Sequence, residues 1–202
     1  LAFDWAISNL EFDYLFRRNT SSFVDFKKLH KFSKSNRNNL DYSGVILDVV
    51  EGDTIASGAG FFLSRKNVEL ILNNQDKFDA TLPDDVAIAR LLRKFEILPS
   101  NLIRKDLKKV PKPNSVYQSD HFHYRCRLDP QYHRILEPQL LKYLNRVSEK
   151  KGIVSLIYYC FLVTIFKISN IKIVYKIVQK FYSYKFYGEI YLGDKLIFSK
   201  KI

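Results

Sequence analysis

The sequence predicts an α/β chain, because short apolar runs of strand character alternate with segments whose apolar residues recur at helical spacing. Of its 202 residues, 47% are hydrophobic, which argues against disorder and is enough for one substantial core, or a core with an appendage. Two segments carry the pattern most clearly. Phe61-Phe62-Leu63 reads as a short buried strand, after which Ser64 suits a helix N-cap, with Val68, Ile71 and Leu72 facing inward and Asn73-Asn74 ending the helix. A second helix opens at Pro83-Asp84-Asp85 and turns Val86, Ile88, Leu91 and Leu92 inward. Proline is tolerated in the first turn, and the positive end of the helix dipole keeps nearby aspartates ionised.

The remaining segments follow in chain order. Leu1 to Leu10 looks like the tail of a helix. Asn19-Thr20-Ser21-Ser22 suits a turn or cap before a helix from Phe23 to Phe32, and Tyr42 to Leu47 reads as a strand. Ser57-Gly58-Ala59-Gly60 has almost no side-chain bulk, so it reads as a loop whose backbone a ligand can approach closely. Lys105 to Asn114 reads as a basic, proline-bearing loop. From Ser119 to Arg127, strand alternation puts His121, His123 and Arg125 on one face, suited to a phosphate or metal contact, with Phe122, Tyr124 and Cys126 on the other.

Charge separates the end of the chain from the rest. The formal net charge is +12, and Leu141 to Ile202 alone holds twelve basic against three acidic residues, a net +9. Ile153 to Phe166 is apolar but shorter than the roughly 17 residues a membrane span needs. Ile171 to Tyr182 then places Lys172, Lys176 and Lys180 on one helix face and Ile171, Val174, Val178 and Phe181 on another. This pairing suits the surface of an anionic membrane, or else a helical hairpin with its lysines in water. Ile190-Tyr191-Leu192 and Lys195 to Phe198 read as a terminal β-hairpin around Gly193-Asp194. The expected division is 1–140 and 141–202. Nucleic-acid binding is disfavoured, since the lysines lie beside apolar runs and no nucleic-acid motif occurs. Two cysteines, Cys126 and Cys160, form no CxxC pair, which favours a reducing compartment or buried thiols.

Three of these segments, taken in order, resemble inverting glycosyltransferases of the GT-A fold, specifically the Fringe and β-1,3-galactosyltransferase-like group. The matching elements are the small-residue loop Ser57-Gly58-Ala59-Gly60, the strand end Leu63-Ser64-Arg65, and the acidic pair with its apolar follower, Asp84-Asp85-Val86. The resemblance covers residues 10 to about 128. It implies a Rossmann-like α/β domain cut short at its N-terminal side, with most of the base-binding half absent, and the chain is accordingly expected to be a fragment or processed product.

The resemblance also implies the site. Asp85 would be the general base and Asp84 its capping or acceptor-binding partner, with the two roles exchangeable. Ser57, Gly58, Ala59 and Gly60 would border the sugar. Arg17, Asn19, Ser21, His123 and Arg125 would face the diphosphate of a nucleotide-sugar donor, a UDP-sugar being expected. The acceptor would be a glycan or lipid-linked glycan, and surface polysaccharide synthesis at the cytoplasmic face of a membrane fits the free thiols and the basic tail. Aligned on Phe23-Val24, the family's DxD aspartates fall on Asn19, Thr20 and Ser21. Neutral oxygens alone are poor ligands for Mn²⁺ or Mg²⁺. Metal use stays open, with Asp13 or Asp25 as substitutes after a register shift, or Arg17 and Arg18 holding the diphosphate by charge. The alternative is a degenerate domain of the same scaffold that binds glycan or membrane without catalysis.

Overall fold

A computed structural model describes residues 2–48, 53–128, 136–149, 152–169, 189–192 and 195–199. The chain is mixed α/β and divides into two compact units: Leu1–Asp106 with Ser119–Arg125, and Leu107–Gln118 with Cys126–Ile202. The division expected at residue 140 falls inside a helix, Glu137–Ser148.

The first unit is built on a four-stranded sheet. Its strands β1 (Tyr14–Arg18), β3 (Tyr42–Asp48), β4 (Thr54–Ser64) and β5 (Ser100–Asn101) lie in the order β1-β4-β3-β5. β4 pairs antiparallel with β1 and β3, and β5 joins β3 in parallel. Helices α3 (Arg65–Asn73) and α4 (Asp84–Arg93) cover it. Val68 and Ile71 of α3, with Ile88, Leu91 and Leu92 of α4, pack against Phe61 and Leu63 of β4 in one buried cluster. The Ser64 cap forms as expected: its hydroxyl accepts the Asn67 N–H at 3.4 Å, an arrangement worth about 1 kcal/mol.

Opposite these helices Phe62 packs with Val24, Leu40 and Phe122, and the rings of Phe16 and Phe32 close the cluster. Val24 belongs to β2 (Ser22–Val24) and Phe122 precedes β7 (His123–Cys126). A second sheet has the order β2-β7-β6, with β6 at Lys105–Leu107. Four expectations change here. Phe23 and Val24 are strand residues, and helix α2 begins only at Phe26 (Phe26–Ser35), capped by Asp25, which accepts the N–H groups of Lys27 and Lys28 at 3.1 and 3.2 Å. The apolar pair is drawn into sheet pairing with Tyr124 and His123. The 105–114 segment is not a continuous loop, since β6 opens it and α5 (Pro113–Tyr117) closes it. β7 starts at His123, which leaves His121 in the preceding turn with its Nδ1 2.9 Å from the Ser119 hydroxyl.

The fourth change concerns Ser57-Gly58-Ala59-Gly60, which is no separate loop but part of the eleven-residue β4. From Gly44 to Ile46 strand β3 advances two residues, while its partners on β4 run five residues, from Phe61 to Ala56. Three extra residues therefore bulge out of the β3–β4 ladder at 57–60. Such bulges kink a strand and release its backbone groups for other partners.

The second unit contains α6 (Glu137–Ser148) and α7 (Gly152–Ser169), with α1 (Ala2–Asn9) belonging to the first. Leu140, Tyr143, Leu144 and Val147 of α6 are buried, as are Ser155 and Leu162 of α7. Tyr143 donates its hydroxyl hydrogen to the Pro111 carbonyl at 2.8 Å, and Tyr158 donates to Gln139 at 2.7 Å. The expected terminal hairpin forms, β8 (Glu189–Leu192) pairing antiparallel with β9 (Lys195–Ser199). The amphipathic segment 171–182 and the turn at 193–194 lie outside the described residues.

Candidate functional site

The bulge in β4 gathers most of the residues the sequence singles out. With the ladder broken, the Gly58 N–H donates to Asp85 Oδ2 at 2.7 Å, while its carbonyl accepts from Arg17 Nη1. Arg17 also pairs with Asp84 through Nη2, and its guanidinium lies 5.5 Å from the centre of the Phe61 ring. Asp85 is half-buried in the first turn of α4, and Asp84 beside it is exposed. Strand β1 supplies Arg17 and delivers Arg18 opposite Gly60. The negative end of this arrangement comes from a helix start, the positive end from an edge strand, and the glycine backbone lies between them.

Both glycines are required by close approach. A Cβ on Gly58 would stand 2.5 Å from Asp85 Oδ2 and 3.1 Å from Arg17 Nη1, and one on Gly60 would stand 2.4 Å from His123 Cε1 and 2.8 Å from the Phe16 ring. Asp85 and His123 therefore meet the same bulge two residues apart. His123 is buried, stands edge-on to Phe16 with ring centres 5.4 Å apart, and has no hydrogen-bond partner for Nε2 among the described residues. Burial pushes its pKa down to about 4, and the Arg104 charge adds to this, while the Ala59 backbone pulls the other way. The imidazole is neutral near pH 7. Burial likewise pushes the Tyr42 phenol up to about 12, despite the Ala56 N–H that its oxygen accepts, and the nearby Asp85 charge contributes to the rise.

Ser57 and Ala59 are held from other directions. The Ser57 hydroxyl accepts from Arg104 Nη1 at 2.9 Å, and the Ala59 carbonyl accepts from the Ser22 hydroxyl at 2.7 Å and the Asn19 N–H at 3.4 Å. Arg104 is nearly enclosed, its side chain 4% exposed, and it grips both Asp106 oxygens through Nε and Nη2 at 2.5 and 3.2 Å. Arg125 on β7 approaches the same carboxylate at 3.9 Å. Neither Arg104 nor Asp106 stands out in the sequence, since Asp106 lies in the basic stretch from Lys105 to Asn114 and Arg104 immediately before it. The signal in the sequence is their spacing of two, which on extended backbone sends an arginine and an aspartate to the same side where β6 begins at Lys105.

Other expected residues serve local structure. Asn19 Oδ1 accepts from the hydroxyls of Ser21 and Ser22, both at 3.0 Å, and the four residues 19–22 form the turn joining β1 to β2. Asp25 is the α2 cap and Asp13 pairs with Arg37 at the surface. A divalent metal does not fit the DxD-aligned positions. They offer neutral oxygens alone, an Asn19 amide oxygen already taken by two hydroxyls and the hydroxyls of Thr20 and Ser21, and no cluster of three or more His, Cys, Asp or Glu suited to a metal ion occurs among the described residues. A cavity of about 680 Å³ opens elsewhere, beside the end of α1, lined by residues 7–13 and Arg65. Of the candidate residues only Asp13 borders it, and none of those gathered at the β4 bulge does.

No family model matches the chain, and no curated protein matches it.

Proposed function

We propose that the chain is a GT-A-type inverting glycosyltransferase domain, moving a hexose from a UDP-sugar to a hydroxyl of a glycan or lipid-linked glycan. The supporting observation is the half-buried Asp85 carboxylate fixed on the Gly58 N–H, with Arg17 on the same glycine and His123 on Gly60. Inverting transfer needs an acceptor hydroxyl, an anomeric carbon and a diphosphate held nearly in line. Asp85 takes the acceptor proton as the oxygen bonds to the anomeric carbon. The bond from that carbon to the phosphate oxygen breaks, and its electron pair leaves with the diphosphate. Cationic side chains offset the charge that accumulates there, with Arg17, Arg18 and Arg125 as candidates. Neutral His123 acts as a hydrogen-bond donor or acceptor rather than a charge. No step is routed through a metal.

Asp85→Asn keeps an oxygen for the Gly58 N–H but removes the base. UDP release from UDP-sugars, with glycan acceptors present, should fall at least about 100-fold while circular dichroism is unchanged. Full activity in this variant removes the assignment. A second reading, a glycan-binding domain without catalysis, is favoured by one observation: Arg17 is already engaged by Gly58 and Asp84. Glycan binding by wild-type protein that turns over no donor would select it.

A further inference from the structure

Helix α7 has the opposite character. Its eighteen residues include one charged side chain, Lys167, and no acid. Ser155 and Leu162 are buried on one side, while Ile153, Ile157 and Phe161 are 75, 65 and 53% exposed. Successive helical residues are about 100° apart, so these three form a single stripe opposite the buried pair. Val154 and Leu156 widen it, each about half exposed, and Cys160 lies within it. Scattered exposed leucines and isoleucines need no explanation, but a continuous apolar arc marks a contact surface.

The sequence around this arc decides what contacts it. Between Glu149 and Glu189 there are seven lysines and no acidic residue: Lys150 and Lys151 precede the helix, Lys167 lies in its last turn, and Lys172, Lys176, Lys180 and Lys185 follow. A protein groove would account for the apolar stripe but would not call for charge of one sign on both sides of it. An anionic bilayer accounts for both, with apolar side chains entering the headgroup boundary and lysines meeting lipid phosphates. Among the described residues no helix is long and apolar enough to cross a membrane.

We propose that the Ile153–Ile157–Phe161 stripe of α7 lies in the surface of an anionic bilayer and anchors the chain there. This is independent of the transferase reading, because it uses none of the residues at the β4 bulge.

The test is cosedimentation of the intact chain with phosphatidylcholine vesicles, with and without phosphatidylserine. Wild type should bind the anionic vesicles at least about tenfold more tightly, less so at high salt. Ile157→Asp combined with Phe161→Asp should reduce that binding at least about tenfold, and Asp85→Asn should not change it. An environment-sensitive fluorophore on the exposed Cys160 of otherwise wild-type protein gives a second readout, shifting to the blue on anionic vesicles only. Equal binding to both vesicle types, an unchanged double variant or an unshifted label overturns the proposal. So does self-association through this stripe without vesicle binding.

Discussion

The β4 bulge draws charged and polar side chains out of water and ties nearly all of them to backbone or to each other, whereas α7 turns a stripe of isoleucine and phenylalanine toward solvent. In the bulge every main-chain group named above has a side-chain partner: Gly58 has Asp85 and Arg17, and Ala59 has Ser22. In α7 the backbone satisfies itself, and it is the apolar side chains that lack cover. The contrast locates two kinds of specificity. Around the glycines of the bulge the polar atoms are crowded and partnered, and along one arc of α7 the apolar side chains are not.

Substitutions should separate the two regions sharply. The largest effect is expected at Gly60→Val. Its Cβ would overlap His123 and Phe16, neither of which has room to retreat in the aromatic cluster, so urea denaturation should show a loss of about 3 kcal/mol or a failure to fold. Stable Gly60→Val protein would mean the bulge is looser than its contacts imply.

The pH dependence of His123 comes next. Its folded pKa of about 4 lies below the ordinary 6.5, so the unfolded chain takes up this proton first as pH falls. The stability it contributes is complete above pH 6.5 and is lost progressively toward pH 4. At 1.36 kcal/mol per unit, the loss is about 3 kcal/mol. Wild type minus His123→Gln, compared by urea midpoint across that window, isolates the effect from the carboxylates. Parallel curves would show that the imidazole is solvated.

A smaller effect is expected for Arg104→Met, which strands the Ser57 hydroxyl and Asp106. The loss should be about 1–2 kcal/mol, discounted because Asp106 is partly exposed. The His123 pKa, followed by its ring proton resonance, should rise once the neighbouring cation is gone and should stay below 6.5, because burial is the larger cause. At the far end of the scale, Ile157→Ser on α7 should change stability by no more than about 0.5 kcal/mol. A large loss there would mean that the stripe packs against protein.

Local chemistry made α3 and α4 legible in advance. Ser64 and Asn74 bound α3 where capping preferences put them, and the apolar spacing of Val68, Ile71, Ile88 and Leu91 marks the faces that are buried. The candidate site was legible in its residues but not in its form. Asp85, Gly58 and His123 stood out, yet Ser57 to Gly60 read as a loop because glycine and serine are poor strand formers. Pairing with β1 and β3 overrides that preference and leaves a bulge. Phe23 and Val24 were misplaced for a similar reason, since a short apolar pair fits a helix start as well as a strand until β7 is there to bond it. Arg104 and Asp106 carried no signal strong enough to stand out from the lysines around them.

The sequence by itself determined the boundaries of α3, the acidic pair at the mouth of α4, the absence of carboxylates at the DxD-aligned positions and the concentration of positive charge after residue 141. These depend on capping, periodicity and composition, which act over a few residues. Tertiary structure alone decided that Asp85 reaches Gly58, that His123 is buried on Gly60 and held neutral, and that Arg104 closes on Ser57. Those contacts join residues 27 to 63 positions apart, or 47 in the case of Arg104 and Ser57. Nothing in local propensity fixes such distances, and only the packing of strand and helix against one bulge brings the partners within bonding range.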